Sequence, residues 1–356
     1  MAVDGSWPPG AGRTRVGRVT GPLVDGSSRP LATRHDVALL DLDGVLYVGP
    51  DAVAGAPEAV AAAARAGMRP AFVTNNASRT PTTVAEHLTD LGIPAAEEDV
   101  VTSAQAAATL VAAEVPAGAT VLVIGGEGLR AALEERRLRP TSSADRAAAV
   151  VQGFAPEVSW ALLAEGAYAA RAGLPWIASN LDATVPTPRG LAPGNGALVD
   201  LVARVAGRRP DAVAGKPETP LHEEAVRRTG ARHPLVVGDR LDTDIEGAVR
   251  AGVPSLLVLT GVATPADLLS ATKQCRPTYV ATGLADGLLE PHPPVGSESS
   301  DTWTCGGWTV RRLAHDVVLT GAGDPLDGLR AAAVAAWAGE PLPELVCEQV
   351  VTGLGL

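Results

Sequence analysis

Two aspartates two positions apart, Asp41 and Asp43, follow an apolar run at 37–40 and precede Gly44. A short uninterrupted apolar run is typical of a strand buried in a parallel sheet. Active sites of open α/β sheets lie at the carboxyl ends of such strands, and with a chain bend at Gly44 both aspartates can converge on one cation or one phosphoryl group. A helix N-cap or a solvated turn would give the same short pattern, so further residues are needed to decide.

Three more groups of polar residues lie after apolar runs or at the start of a helix: Thr74 with Asn75, Lys216, and Asp239 with Asp244. Each has an ordinary interpretation by itself, as a turn, a solvated helix start, or an N-cap with a first-turn charge. Lys216 is more informative, because the only other lysine of the chain is Lys273. A compact ammonium can reach between a carboxylate and a phosphoryl oxygen, where the planar fork of arginine cannot.

In this order the four groups resemble the four motifs of the haloacid dehalogenase (HAD) superfamily, and the match extends over 37–80 and 208–260. The resemblance implies that Asp41 is a nucleophile that forms an aspartyl-phosphate, and that Asp43 is the general acid and then the general base. It implies Mg²⁺ as the cofactor, bound by Asp41, by the Asp43 backbone carbonyl and by Asp239. The resemblance further implies that Asp244 holds a metal-bound water or Lys216 and that Lys216 is catalytic. It also implies that Thr74, the Asn75 backbone amide and Lys216 bind phosphate.

An inserted domain is predicted between the second and third motifs. Only a flap and one helix fit between 44 and 74, whereas alternating strands and helices over 81–207 are typical of a separate α/β domain. Its position resembles the type II (C2a) cap of the NagD-like branch of HAD phosphatases. That branch also carries segments like VTNNASR at 73–79 and PGNG at 193–196. Such caps exclude large substrates, so the resemblance implies a small phosphomonoester.

Within this branch, the segments at 100–105 and 238–248 and the C-terminal tail are similar to actinobacterial glycerol 3-phosphate phosphatases. The resemblance implies hydrolysis of glycerol 3-phosphate to glycerol and phosphate. Phosphoglycolate, pyridoxal phosphate and p-nitrophenyl phosphate are the alternative substrates. Asn76, Asn180 and Asp182 are the candidate residues on the substrate side of the site.

The predicted fold is α/β: a HAD Rossmann-like core with a doubly wound parallel sheet, an inserted α/β C2-type cap and a small C-terminal α/β appendage. The predicted parts are a flexible leader at 1–34, the core at 35–80 and 208–290, the cap at 81–207, a linker at 291–302 and a C-terminal module at 303–356. The linker is predicted from its proline, serine and acidic residues. In the tail, the pattern predicts strands at 308–312 and 316–320 and a helix at 326–337, without a chemistry.

Composition narrows the classes of partner. The 356 residues include 29 Lys and Arg against 40 Asp and Glu, a formal net charge of -11, which disfavours nucleic acid and anionic membranes. No apolar run approaches the ~18 residues of a membrane helix. Cys275, Cys305 and Cys347 are odd in number and far apart, which fits a reducing, cytoplasmic compartment. We therefore expect a small phosphomonoester as partner, no nucleic acid and no membrane, and a homo-oligomer through the cap is a further hypothesis.

One stretch favours a different class of protein. Residues 126–131 form a GxGxxA pattern after an apolar strand and before a helix, and Asp145 lies near the spacing of a ribose-binding acid. By itself the pattern predicts an NAD(P)-binding oxidoreductase. An ordinary strand-to-helix turn of the cap explains the same residues.

Overall fold

The structure is a computed structural model that describes residues 21–187 and 189–356. Its strands, in chain order, are β1 Val37–Leu40, β2 Tyr47–Val48, β3 Asp51–Ala52, β4 Arg69–Thr74, β5 Val100–Thr102, β6 Thr120–Ile124, β7 Arg139–Thr141, β8 Ala149–Gln152, β9 Trp176–Ala178, β10 Thr184–Thr187, β11 Gly190–Pro193, β12 Ala212–Val213, β13 Pro234–Gly238, β14 Ser255–Val258, β15 Tyr279–Ala281, β16 Gly296–Ser299, β17 Thr302–Cys305, β18 Trp308–Leu313 and β19 Asp316–Gly321. Its α-helices are α1 Ala56–Arg65, α2 Pro81–Asp90, α3 Ser103–Glu114, α4 Glu127–Glu135, α5 Trp160–Arg171, α6 Asn195–Ala206, α7 Pro220–Thr229, α8 Glu246–Ala251, α9 Pro265–Leu269, α10 Leu284–Leu289, α11 Pro325–Trp337 and α12 Glu344–Leu354.

The sheet of the core consists of parallel strands in the spatial order β15, β14, β13, β1, β4, β5. All four positions of β1 are buried, because apolar clusters cover both faces of the sheet. This two-sided burial explains the uninterrupted apolar run at 37–40. Since β1 lies between β13 and β4, polar residues that follow these three strands are brought to one edge of the sheet.

The cap contains a second parallel sheet, with strands in the spatial order β12, β9, β8, β6, β7. Helices α5 and α6 pack on one face around buried residues such as Trp176 and Val199. Helix α3 covers the other face, where one hydrophobic cluster joins Val101 of the core sheet, Ala107 of α3 and Val123 of the cap sheet. Core and cap therefore share a hydrophobic interior.

The structure corrects both predicted boundaries of the cap. Helix α2 and strand β5 lie within 81–207 but belong to the core, since β5 pairs with β4. At the other boundary, β12 lies beyond 207 and pairs with β9 of the cap. The cap sheet thus extends from Thr120 to Val213. Strands of two or three residues such as β12 and β5 are too short to give the pattern by which longer strands are identified.

The C-terminal module is an antiparallel sheet, β16 to β19 in order, and α11 packs against both this sheet and the core. In α11, Arg330 Nη2 donates to the Val280 carbonyl of the edge strand β15 at 3.0 Å. Trp337 Nε1 donates to the Leu268 carbonyl of α9, also at 3.0 Å. The two strands and the helix predicted in the tail are confirmed as β18, β19 and α11.

Two segments predicted to be irregular are part of the fold. The predicted linker at 291–302 contains β16, which pairs with β17 but is exposed at every position, so its polar composition resembles that of a linker. Of the predicted leader, residues 1–20 lie outside the described residues. Leu23 and Leu31 are buried, so the flexible-leader prediction is wrong for 21–34. As to membranes, each described helix falls short of the length and apolarity that a bilayer-crossing segment needs.

Candidate active site

The predicted motif residues meet at the carboxyl edge of the core sheet. Asp41 follows β1, Thr74 ends β4 and Asp239 follows β13, three adjacent strands. Lys216 enters from the loop between β12 and α7, and its Nζ lies 2.5 Å from Asp41 Oδ1 and 2.6 Å from Asp244 Oδ1. The Lys216 side chain is only 5% exposed. Residues far apart in the sequence thus form one buried charged cluster.

The charges of this cluster do not balance. Burial lowers the pKa of Lys216, but Asp244 and Asp41 outweigh this effect and raise it above its ordinary value, so the lysine is an ammonium. Burial raises the pKa of Asp41 well above its ordinary value; Lys216 opposes this shift, and Asp244 and Asp239 add to it. Three carboxylates around one ammonium leave a surplus of negative charge, which a further cation would stabilise.

The carboxylates fit a divalent cation. One oxygen from each of Asp41, Asp239 and Asp244 lies within 4.8 Å of the others. Asp239 is 1% exposed, its Oδ2 accepts a hydrogen bond from the Val262 N–H at 2.7 Å, and its Oδ1 is buried without a partner among the described residues. Burial, reinforced by Asp244, raises the pKa of Asp239 to about 6. A buried carboxylate oxygen without a partner is costly, and a hard cation such as Mg²⁺ prefers such oxygens as ligands.

Two glycines leave room for the Asp239 carboxylate to pack directly against the backbone. A Cβ at Gly44 would lie 2.3 Å from Asp239 Oδ2, and a Cβ at Gly261 would lie 2.0 Å from the same oxygen. Gly44 also has a φ of +80°, in the left-handed region that favours glycine. Its carbonyl accepts a hydrogen bond from Thr260 Oγ1 at 2.6 Å. The glycine after Asp43 therefore allows both the chain bend and the close approach of the carboxylate.

Asp43 differs from Asp41 in being exposed. The surrounding protein removes part of its hydration and raises the pKa of its carboxyl group, while Lys216, Arg79 and His87 oppose the shift. An exposed carboxyl group with a raised pKa is suited to donating a proton. Among the described residues, the carboxylate cluster consists of Asp41, Asp239 and Asp244 and does not include the Asp43 carboxylate.

The end of β4 and the loop after it carry two of the predicted phosphate-binding residues, Thr74 and Asn75. Thr74 is buried, and its Oγ1 accepts a hydrogen bond from the Asn76 N–H at 3.0 Å, which leaves the hydroxyl proton available to a ligand. The Asn75 side chain binds the backbone of Lys216, accepting from its N–H at 2.8 Å and donating to its carbonyl at 3.2 Å. The Asn76 side chain accepts from the Ser78 N–H and hydroxyl, both at 2.8 Å. Asn76 thus stabilises the loop and is itself exposed.

The structure assigns Asn180 to the interior and not to the substrate side. Asn180 is 4% exposed; its Nδ2 donates to the Asn75 carbonyl at 2.8 Å, and its Oδ1 accepts from the Asp182 N–H at 3.1 Å. Both polar groups of the side chain are therefore used inside the protein. Asp182 is half-buried and accepts from Asn75 Nδ2 at 3.1 Å.

Three residues that support this loop were not predicted. Ser103 Oγ donates to the Asn75 carbonyl at 2.5 Å, and Asn195 Nδ2 donates to the Asn180 carbonyl at 2.7 Å. A Cβ at Gly215 would lie 2.6 Å from Asn75 Oδ1. The PGNG segment at 193–196 contains Asn195 and pointed to it, but the spacing of residues does not show that Asn195 bonds the Asn180 carbonyl.

The GxGxxA stretch at 126–131 packs against the core. The Gly128 N–H donates to the Ser78 carbonyl at 3.2 Å, and a Cβ at Gly128 would lie 2.4 Å from the Arg79 carbonyl oxygen. The N-terminus of α4, where a dinucleotide pyrophosphate would bind, is therefore occupied by the loop after β4. Asp145 is exposed, and its backbone N–H binds Ser143 Oγ. The oxidoreductase alternative has no support.

Comparison with protein-family models gives three matches. A haloacid dehalogenase-like hydrolase model matches residues 38–139, and a HAD-hydrolase-like model matches 213–287. A model of a GCN5-related N-acetyltransferase like domain matches 305–355, within the C-terminal module.

Individual proteins extend the likeness over most of the chain. It is 45% identical over 317 residues to the D-glycerol 3-phosphate phosphatase of Mycobacterium tuberculosis, covering 87% of this chain and 88% of that protein. It is 36% identical over 259 residues to an acid sugar phosphatase of Staphylococcus aureus, and the match covers 72% of this chain and 98% of that protein. The crystal structure of a glycerol phosphate phosphatase from Mycobacterium tuberculosis in complex with magnesium superposes on this structure with a TM-score of 0.83 at 41% sequence identity. The match covers 92% of this chain and 99% of that chain. With the ordered motif residues at one edge of the sheet, these likenesses show that the chain belongs to the haloacid dehalogenase-like hydrolase family and is one of its phosphatases.

Proposed function

We propose that the protein is a magnesium-dependent phosphomonoesterase that hydrolyses glycerol 3-phosphate to glycerol and phosphate through an aspartyl-phosphate on Asp41. One observation carries the proposal: the Lys216 ammonium lies between Asp41 and Asp244, in a cluster with a buried Asp239 oxygen that has no partner within 21–187 and 189–356. The glycerol phosphate phosphatases among its relatives support the choice of substrate.

Asp41 is the nucleophile in this proposal. Since its Oδ1 accepts a hydrogen bond from the Lys216 ammonium, Oδ2 is the oxygen left to attack phosphorus. The new Oδ2–P bond forms as the P–O bond to the glycerol oxygen breaks, and Lys216 stabilises the charge on the phosphoryl oxygens. When bound, Mg²⁺ supplies further positive charge for the same oxygens, and Asp41, Asp239 and the Asp43 backbone carbonyl would hold it, with Asp244 behind them.

Asp43 moves the proton in both half-reactions. It gives its proton to the departing glycerol oxygen, which leaves glycerol neutral and Asp43 as a carboxylate. That carboxylate then takes a proton from the water whose oxygen attacks phosphorus, the Asp41–phosphorus bond breaks, and phosphate leaves. Thr74 and the Asn75 backbone amide bind the phosphoryl oxygens during both steps.

The direct test is phosphate release from glycerol 3-phosphate, phosphoglycolate, pyridoxal phosphate and p-nitrophenyl phosphate, with and without Mg²⁺. We expect Mg²⁺-dependent release with glycerol 3-phosphate as the best substrate, and no measurable release by Asp41→Asn. Asp242→Asn is the matched control, because Asp242 lies between Asp239 and Asp244 but is exposed and paired with Arg240. A different best ester would replace the substrate, and no release from any ester by the folded, Mg²⁺-supplied protein would refute the phosphatase mechanism.

We also propose a homo-oligomer formed through the cap. The outer surfaces of α5 and α6 expose large apolar side chains: Trp160, Tyr168, Leu201 and Val205. Exposed apolar side chains on adjacent helices are typical of a protein interface. Sedimentation velocity should give a species larger than the monomer that Trp160→Asp converts to monomer, and a monomeric wild type would contradict the proposal.

For the compartment, we propose the cytoplasm. Cys275, Cys305 and Cys347 are free thiols, which fits a reducing environment. The net charge of -11 supports the absence of a nucleic-acid or anionic-membrane partner. Fractionation of the source cells with the protein detected in the membrane or secreted fraction would contradict this location.

A further inference from the structure

We propose that Asp182, a residue of the cap, positions the catalytic lysine Lys216 by orienting the side-chain amide of Asn75. This inference rests on the proposed function and gives Asp182 a role other than the substrate contact expected from the sequence. It is carried by a chain of hydrogen bonds that connects the cap with the Lys216 backbone.

The first link is the two-point contact between Asn75 and Lys216. Asn75 Oδ1 accepts from the Lys216 N–H at 2.8 Å, and Asn75 Nδ2 donates to the Lys216 carbonyl at 3.2 Å. Both contacts require one orientation of the amide, because a flip would oppose N–H to N–H and oxygen to oxygen. Gly215 leaves room for this arrangement, since a Cβ there would lie 2.6 Å from Asn75 Oδ1. The amide thus fixes the backbone from which the lysine side chain extends.

The second link is Asp182, which selects that orientation. Its Oδ1 lies 3.1 Å and its Oδ2 lies 3.4 Å from Asn75 Nδ2. A carboxylate can accept from Nδ2 but would repel Oδ1, so the flipped amide is disfavoured.

The third link holds Asp182 in the cap. Its carbonyl accepts from the Gly196 N–H at 2.9 Å, and a Cβ at Gly194 would lie 2.3 Å from that carbonyl oxygen. Its N–H donates to Asn180 Oδ1 at 3.1 Å, and the Asn180 carbonyl accepts from Asn195 Nδ2. The PGNG segment therefore packs around residues 180–182. The position of the Asp182 side chain is thus fixed by the cap and not by the core.

The test compares Asp182→Ala with Asp182→Asn on three esters with different alcohol groups: glycerol 3-phosphate, phosphoglycolate and p-nitrophenyl phosphate. We expect Asp182→Ala to lower kcat/KM by roughly 10–100-fold and by the same factor for every ester, as for loss of a residue that orients a catalytic group. Asp182→Asn should recover most of the activity, since its Oδ1 can accept the same hydrogen bond while the two contacts with Lys216 keep the Asn75 amide in its orientation. Asp200→Ala is the matched control, an exposed carboxylate of α6 that pairs only with exposed Arg209 among the described residues.

A loss confined to glycerol 3-phosphate would overturn the proposal and make Asp182 a substrate-binding residue. Equal damage by Asp182→Asn and Asp182→Ala would also overturn it, because the charge and not the hydrogen bond would then matter. If the wild type hydrolyses the other esters but not glycerol 3-phosphate, the proposed substrate fails while the comparison of variants on the remaining esters still decides the role of Asp182.

A second measurement does not depend on turnover. The affinity for inorganic phosphate with Mg²⁺ present is measured by calorimetry for Asp182→Ala, for Lys216→Met and for the double variant. If Asp182 acts through Lys216, the double variant should bind phosphate as weakly as Lys216→Met alone. Losses that multiply would show an independent contact and contradict the proposal. Melting temperatures are compared in parallel, and Asp182→Glu replaces Asp182→Ala if the latter does not fold.

Discussion

The core and the cap use the same end of a parallel sheet for different purposes. In the core, the strands β1, β4 and β13 end at Asp41, Thr74 and Asp239, which form the charged cluster. In the cap, β6 and β8 are followed by Gly125 and Gly153.

The cap glycines allow close packing where the core has reactive side chains. A Cβ at Gly153 would lie 3.2 Å from Ala77 Cβ, and one at Gly126 would lie 3.2 Å from the Ser78 carbonyl oxygen. The strand ends of the cap are thus covered by the loop after β4, whereas those of the core remain available for a ligand. Sheet geometry offers two equivalent positions for a site, and the residues that follow the strands decide which one is used.

The largest effect on activity should come from a substitution that keeps the positive charge of the core cluster but changes the shape of the charged group. Lys216→Arg places a planar guanidinium between two carboxylates that lie 2.5 and 2.6 Å from a compact ammonium. We expect kcat to fall by roughly 10³-fold. The measurement is steady-state phosphate release. Lys273→Arg is the control, because Lys273 is exposed and is the only other lysine; activity of Lys216→Arg near that of the control would contradict the role given to the ammonium.

The next largest effect should come from disturbing the packing of the cap. Gly128→Ala adds a Cβ 2.4 Å from the Arg79 carbonyl oxygen, so the loop after β4 or α4 must shift. We expect a loss of about 1–3 kcal/mol in the free energy of unfolding, measured with urea, and a lower kcat/KM because the same loop directly follows Thr74 and carries Asn75. In the matched control Gly353→Ala, in α12, the nearest atom would be 4.0 Å away. Equal stability of the two variants would mean that the cap does not need the close contact.

Acid should destabilise the whole fold through a buried histidine of the core. His222 of α7 is buried, and burial, with Lys216 adding to it, lowers the pKa of its imidazole to about 3. The folded pKa is below the unfolded value of about 6.5, so the stabilisation is complete above pH 6.5 and is lost as the pH falls towards 3. The range 115–213 contains no histidine.

We expect the free energy of unfolding of the wild type to fall by up to about 1.4 kcal/mol per pH unit more than that of His222→Gln in this range. Urea unfolding at several pH values between 6.5 and 4 measures the difference. Parallel curves for the two proteins would show that His222 is not neutral in the folded core.

The smallest effect on stability should come from removing the N-cap of α3, the helix that packs against both the core sheet and the cap sheet. Thr102 caps α3: its Oγ1 accepts from the Gln105 N–H, and Gln105 Oε1 accepts from the Thr102 N–H. Thr102→Ala should cost about 1 kcal/mol. Hydrogen exchange should show lower protection in core and cap together, because α3 packs against both. Lower protection in one of them alone would contradict a shared interior.

Much of the catalytic edge could be predicted because it depends on order along the chain. Parallel strands that end in polar residues bring those residues together whatever the details of packing, so Asp41, Thr74 and Asp239 could be placed near one another. The role of Asn180 could not be predicted, because it depends on the orientation of its side-chain amide, which bonds the backbone of Asn75 and Asp182. The strands β12 and β16 were missed, since one is two residues long and the other is exposed at every position.

Helix α3 makes the cap a poor unit for exchange between relatives. One apolar cluster runs from the core sheet through α3 to the cap sheet, so the two domains should unfold as a single cooperative unit. A chimaera joined at 81 and 207 would remove β5 and α3 from the core and leave β12 behind without its partner. Joining instead between α3 and β6, and again after β12, would keep each sheet whole. The cap of this enzyme is thus an insertion in sequence that shares its interior with the domain it interrupts.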